Sequence, residues 1–230
     1  MLIDRVIAPY FETNCWILAT GVGQECIIVD PGMAKPNLVK SIKEKIAEHN
    51  LKPVAVLITH GHIDHIFSVL PLTKEIPMRT FITPADRFLL TNPMAALDSG
   101  GVSEQLISAF GGNNFAEPSD LIELDDFGNF QIAGLEIESI FAPGHTKGSV
   151  IFTVDNQVLI SGDVLFAGGI GRTDLPTGSA TDMRKTLRER VLTLPDGLNV
   201  LPGHGGQTTI AIERVRNPYL QSDFLDQSGR

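Results

Sequence analysis

An α/β fold, with helices packed on β-sheets, is the expectation from three features of this 230-residue sequence. Apolar runs of strand length alternate with amphipathic helical stripes. Gly and Pro stand as isolated punctuation between these runs and build no low-complexity linker. Four strand-like runs end in turns carrying histidine or aspartate, which is how a layered fold delivers side chains to one edge.

In chain order, residues 2–8, 13–19 and 25–30 read as strands, the last two separated by Thr20-Gly21-Val22-Gly23. Residues 36–50 carry apolar positions at Leu38, Val39, Ile42, Ile46 and Ala47 with Lys and Glu opposite, a helical stripe. The run 54–58, Val-Ala-Val-Leu-Ile, has no alternation and suits a strand covered on both faces. Strands are expected again at 130–141, 149–154, 157–161 and 199–201, and helices at 181–192 and 208–216. Between the halves, residues 84–120 hold Pro84, Pro93, Pro118 and two glycine pairs, with helix-like pieces at 85–90 and 102–110. Such a stretch predicts a lid or insertion within one domain spanning 1–230.

The composition, 43% hydrophobic and 20% charged, suits one domain with a sizeable core. A formal charge of −9 repels polyphosphate and argues against nucleic-acid binding. No run is apolar and long enough to cross a bilayer, and the first residues carry Asp4, Arg5 and Glu12 where a signal peptide would be apolar. A cytoplasmic protein is the expectation. Cys15 and Cys26 lie in apolar strand-like surroundings and read as buried free thiols that could face each other across a hairpin.

The chemistry concentrates in Thr59-His60-Gly61-His62-Ile63-Asp64-His65, three imidazoles and a carboxylate directly after a buried strand. A loop leaving a strand end can turn His60 and His62 toward one point, while Asp64 and His65, at the start of a helix, face a second. His145 and His204 each follow a Pro-Gly turn, and Asp163 follows Gly162. Imidazole nitrogen and carboxylate oxygen suit zinc, and iron or manganese with less discrimination. His49, at a helix end, is expected to be solvated.

His60 to His65 has the form HxHxDH, which resembles the metallo-β-lactamase superfamily signature. The later Gly-His, Gly-Asp and Gly-His positions match that family's order, and the resemblance runs from Thr13-Asn14-Cys15 to Pro202-Gly203-His204. It implies a four-layer αββα sandwich with two metals, zinc foremost. His60, His62 and His145 would hold one, Asp64, His65 and His204 the other, and Asp163 would bridge them. Asp30, in Asp30-Pro31-Gly32, would orient a ligand or loop, or simply form the turn. A hydroxide between the metals would attack the substrate, with Asp64 able to accept a hydrogen bond from the attacking water.

The segment from Asp163 to Asp174 resembles glyoxalase II (hydroxyacylglutathione hydrolase) and the related persulfide dioxygenases, where a basic residue after a Gly-x-Gly turn meets a glutathione carboxylate. Arg172 stands there and would bind a substrate carboxylate; its other reading is a surface ion pair with Asp174. Hydrolysis of an acyl thioester of a low-molecular-weight thiol is the expected activity. The helical domain that follows the last histidine in glyoxalase II has no counterpart in the twenty-six residues after His204, so a different thiol carrier is also open. Alternatives are a persulfide dioxygenase with a single iron, a lactonase, a true β-lactamase, and a metal-stabilised binding module.

Overall fold

The computed structural model describes residues 1–97 and 114–226. Six strands, β1 (Leu2–Ile7), β2 (Asn14–Ala19), β3 (Glu25–Val29), β4 (Lys52–Leu57), β5 (Arg79–Ile82) and β6 (Leu121–Glu123), form one sheet in chain order. Its first three strands are antiparallel and the rest run parallel to β3. The second sheet has the order β12-β11-β10-β9-β8-β7. It comprises β7 (Gly128–Ile132), β8 (Leu135–Phe141), β9 (Val150–Val154), β10 (Val158–Gly162), β11 (Asn199–Pro202) and β12 (Thr208–Thr209).

The strand period of two sorts side chains into separate cores. Along β2, Cys15, Ile17 and Ala19 pack with Ile42 of α1 (Val39–Glu48), while a short α2 (Ile63–Ile66) and α3 (Val69–Glu75) contribute Ile66 and Leu72 to the same layer. Trp16 and Leu18 enter a second core between the sheets, against Leu135, Ile137 and Phe152. Ile151 and Leu159 face a third, against Met183 of α4 (Ala180–Thr186) and Leu187 and Val191 of the π-helical turn that continues it. Three cores between four layers make the αββα sandwich of the metallo-beta-lactamase fold. Because both faces of β2, β9 and β10 are covered, their sequences are apolar without alternation.

Several elements depart from the sequence reading. Residues 130–141 are not one strand: Ala133 and Gly134, at φ 54° and 71°, make a two-residue turn that folds the segment into the β7–β8 hairpin. Two successive positive φ values are the mark of a hairpin turn whose twist matches its strands. The short β5, β6 and α3 fall where no element was assigned. His49 closes α1 and its Nε2 lies 2.7 Å from Asp4 Oδ2, so it is paired and not simply solvated. The β2–β3 register sets Cys26 opposite Ala19, not Cys15. Both thiols are free in the helix-facing core; burial pushes Cys26 up to about 12, and burial with the Asp30 charge raises Cys15 well above its ordinary value.

The 84–120 stretch joins β5 to β6. Its described parts hold two 3₁₀ turns, Arg87–Leu90 and Pro93–Ala96, in place of the helix read at 85–90, and the piece read at 102–110 lies outside the described residues. Among the described residues no helix is long and apolar enough to cross a membrane.

Candidate metal centre

Four strands run out at one edge of the sandwich, and each exit loop brings donors to a common point. β4 leads to His60, His62, Asp64 and His65; β8 leads to His145; β10 leads to Asp163; β11 leads to His204. The ligating atoms of His60, His62 and His145 lie within 4.8 Å of one another, as do those of Asp64, His65 and His204. Asp163 stands between the two groups, Oδ2 at 3.5 Å from His145 Nε2 and 3.4 Å from His204 Nε2, and Oδ1 at 3.4 Å from His65 Nε2. All seven residues taken from the sequence as metal ligands therefore converge.

Hydrogen bonds on the outer side of the rings decide which nitrogens face inward. Neutral imidazole carries one proton, so a ring whose Nδ1 donates presents a bare Nε2. His145 Nδ1 lies 2.7 Å from the Arg172 carbonyl oxygen and His204 Nδ1 2.9 Å from that of Phe11, and both can only donate there. His65 Nδ1 donates to Asp30 Oδ2 at 2.9 Å. The Thr59 hydroxyl gives its proton to Asp30 Oδ2 at 2.6 Å, so its oxygen accepts from His60 Nδ1 at 3.1 Å.

In the neutral rings the inward Nε2 atoms of His60, His65, His145 and His204 are thus bare, while among the described residues no outer partner fixes the tautomer of His62. His65 and His204 Nε2 are 3.2 Å apart, and His62 Nδ1 and His145 Nε2 are 2.8 Å apart. Among the described residues, His60 Nε2, His62 Nε2 and Asp163 Oδ1 are buried with no hydrogen-bond partner. Buried polar atoms left so are costly unless a ligand completes them. Five imidazoles and two carboxylates are a donor set that suits a divalent metal pair, and the residues present fit it.

Burial and charge together act in opposite directions on His60 and His62 and on His65 and His204. Burial penalises charge on His60 and on His62, and the neighbouring imidazoles add to it; His60 falls well below its ordinary value and His62 to about 3. Burial works the same way on His65 and His204, but carboxylates overrule it. Asp163, Asp64 and Asp30 carry His65 up to about 9, and Asp163 with Asp64 carries His204 to about 10. Against their own burial, Asp64 and Asp163 are held below the usual carboxylate range, first by His65. The pocket is a field that favours cations.

Two glycines permit this crowding. A Cβ on Gly203 would collide with Asp163 Oδ1 and stand 2.7 Å from His65 Cε1. Gly144, at φ +147°, would place a Cβ 2.5 Å from Met183 Cα. The glycine before each of these two late histidines is thus a requirement of close approach.

The sequence profile of the metallo-beta-lactamase superfamily matches residues 8–204. This chain belongs to the metallo-beta-lactamase superfamily. Relatives cover the superfamily chain almost end to end. It is 37% identical over 216 residues to "Probable metallo-hydrolase YqgX" of Bacillus subtilis, covering 93% of this chain and 95% of that one. It is 33% identical over 225 residues to "Hydroxyacylglutathione hydrolase GloC" of Haemophilus influenzae, covering 96% and 99%. Among solved structures, the BLEG-1 B3 metallo-beta-lactamase superposes with a TM-score of 0.80 at 30% identity over 95% of this chain and 99% of its own. The di-iron-bound form of TTHA1623 gives 0.76 at 28% identity, over 94% and 100%. A His-rich site for divalent metal in a metallo-hydrolase is the common ground.

Residues around this superfamily site differ in how far the sequence exposed them. Asp30, at φ 46° and 1% exposed, accepts from Thr59 N at 2.8 Å as well as from the Thr59 hydroxyl and His65, so it holds the His65 ring and does more than form a turn. Arg172 offers its backbone carbonyl to His145, while its guanidinium forms a bidentate pair with Asp174, both contacts at 2.7 Å, on an exposed rim. The ion-pair reading of that side chain is the arrangement seen. Thr13 was not singled out; its hydroxyl donates to Asp64 Oδ2 at 3.1 Å. Nor was Glu213, which is buried and accepts from Gly168 N at 2.8 Å, while Asn217 Nδ2 donates to the carbonyls of Phe166 and Gly169. These two residues of the C-terminal segment anchor the loop between Asp163 and Arg172, and nothing in a Glu-x-x-x-Asn helix spacing announces it.

Proposed function

We propose that this protein is a metal-dependent thioester hydrolase of the glyoxalase II type, acting with two divalent ions on a small acyl thioester of a low-molecular-weight thiol. The observation that carries the reading is the pair of converging donor triads in which His65, His145 and His204 have their outward nitrogens committed to a carboxylate and two carbonyls, leaving their inward nitrogens for metal. The 33% identity to a hydroxyacylglutathione hydrolase along the whole length supports the choice of substrate class.

His60, His62 and His145 would hold one ion, and Asp64, His65 and His204 the other, with Asp163 between them. Ions so placed would supply an activated water at neutral pH and a Lewis acid for the substrate carbonyl and leaving thiolate. The chain's own residues do the positioning. Thr13 holds one Asp64 oxygen, Asp30 fixes the His65 ring, and the Arg172 and Phe11 carbonyls fix His145 and His204. The anchored loop after Asp163 lines the rim, where the Phe166 ring stands edge-on to His204 at 6.0 Å between centroids.

Arg172 would take the acidic end of the substrate by exchanging Asp174 for a substrate carboxylate. Arg172→Ala is expected to raise KM for an acidic thioester about tenfold, the size of one charge-assisted bond, and to leave a neutral thioester nearly unaffected. Steady-state kinetics on the two substrates checks it; an equal effect on both would remove Arg172 from the substrate site.

A second reading, β-lactam hydrolysis, is favoured by the 30% identity to BLEG-1. One experiment separates the possibilities. Metal content by elemental analysis is paired with assays on hydroxyacyl thioesters, a β-lactam, lactones and a thiol persulfide with oxygen monitored. Two metals and thioester turnover support the proposal. One iron with oxygen uptake would replace it with persulfide dioxygenation, and turnover of the β-lactam alone would favour the second reading.

A further inference from the structure

One buried carboxylate near the site has no part in the reading above. Asp86 is fully buried, in the turn that follows β5 and opens the 84–120 stretch. Its Oδ2 accepts from Gly61 N at 2.8 Å and from the Thr146 hydroxyl at 2.6 Å, and its Oδ1 accepts from Gly148 N at 2.8 Å. Gly61 lies between His60 and His62; Thr146 follows His145. One side chain therefore ties together the two loops that carry the first triad, and these loops come from different sheets.

The surroundings stiffen this tie. Thr83 Oγ1 donates to the Gly148 carbonyl, and the Ser149 hydroxyl lies 2.8 Å from that of Thr146 and accepts from Thr146 N at 3.0 Å. On the outer side of the turn, Arg87 grips Glu117 through two contacts of 2.7 Å and Glu123 at 3.0 Å. Asp86 makes no hydrogen bond to Asp64, His65 or His204 that parallels these; the second triad has its own carboxylate, Asp30, bonded to His65 and Thr59.

We infer that Asp86 is the positioning residue of the first metal site alone, setting the spacing between the His60–His62 loop and the His145 loop. The inference rests on the two-metal reading. It gives the first ion an anchor that the second lacks: Asp30 bonds His65 directly and reaches His60 through the Thr59 hydroxyl, whereas Asp86 bonds the backbone and hydroxyl beside His60, His62 and His145. Carboxylates one shell out from a metal typically change affinity about 10–100-fold when removed.

The test is titration of the metal-free, full-length protein with zinc against a competing chelator, which resolves two uptake steps. Asp86→Ala is expected to weaken one step by about 10–100-fold and to leave the other within about threefold. Asp86→Asn, which keeps an acceptor but turns an NH₂ toward a backbone N–H, falls between. His145→Ala removes the first site, and adding Asp86→Ala to it should leave the remaining step unmoved, as expected when both changes act on one site. Equal weakening of both steps, or a further loss in the His145→Ala background, would overturn the inference and leave Asp86 as a general prop of the fold. Should Asp86→Ala fail to fold, Thr146→Val removes one of the three bonds and must still weaken the same step alone. A single step in the unaltered protein would count against the two-metal reading, and the inference would then stand or fall on whether Asp86→Ala weakens that step.

Discussion

Asp163→Ala is expected to strip metal and hydrolysis together. Among the described residues this is the carboxylate that approaches imidazoles of both triads, His145 on one side and His65 and His204 on the other, all within 3.5 Å. Removing it leaves no carboxylate between the two triads, and on the two-metal proposal each ion would lose a donor. Losing even an indirect partner of a metal costs about 10–100-fold in affinity, so removal of a donor shared by both ions is expected to cost at least about a hundredfold at each. Elemental analysis after gel filtration, alongside turnover, checks the prediction. Asp163→Asn separates charge from shape: it preserves the contour yet presents an amide, and is expected to lose most of the second equivalent. Retention of both metals in Asp163→Ala would show that the bridge is wrongly placed.

Chelation is expected to lower thermal stability by a margin few single substitutions match. Ring nitrogens crowd to 2.8 Å and 3.2 Å, and among the described residues His60 Nε2 and His62 Nε2 are buried without a hydrogen-bond partner, around a point that a cation would complete. A ligand at a thousand times its dissociation constant, binding only the native state, adds about 4 kcal/mol. For a domain of this size each kcal/mol moves Tm by roughly 2–4 °C, so chelator should lower it by roughly 8–16 °C and added zinc should restore it. Differential scanning calorimetry with and without chelator measures this directly. An unchanged Tm, with metal proven absent, would mean that the triads are not energetically coupled to any ion.

What could be read in the sequence, and what could not, follows from the range of the interactions involved. The seven converging residues were legible because they follow the stops of buried apolar runs, and a glycine beside an imidazole at such a stop has few purposes other than close approach. The αββα layering came with them through the resemblance those motifs carry. Asp30 was visible through the same resemblance, since Asp-Pro-Gly by itself reads equally as a turn. Asp86 looks like an ordinary turn former in Thr-Pro-Ala-Asp, and its three bonds reach residues 25 to 62 positions away, a separation no local pattern encodes. The β7–β8 hairpin was missed because Ala133-Gly134 lacks the Asn-Gly or Asp-Gly of the common turn. The strands β5 and β6 are too short, at four and three residues, to show a period.

The placement of the ligands across the two sheets has a consequence for how the molecule comes into being. The strands of the first sheet lead to His60, His62, Asp64 and His65, and those of the second to His145, Asp163 and His204. Neither triad is complete on either half. During synthesis the amino-terminal half emerges holding two donors of each triad and none of the partners that close them, so a metal captured early can be held only loosely. Full loading waits until the second sheet has docked. On the two-metal proposal, metal retention would report finished folding, and a chain arrested halfway would hold ions only loosely.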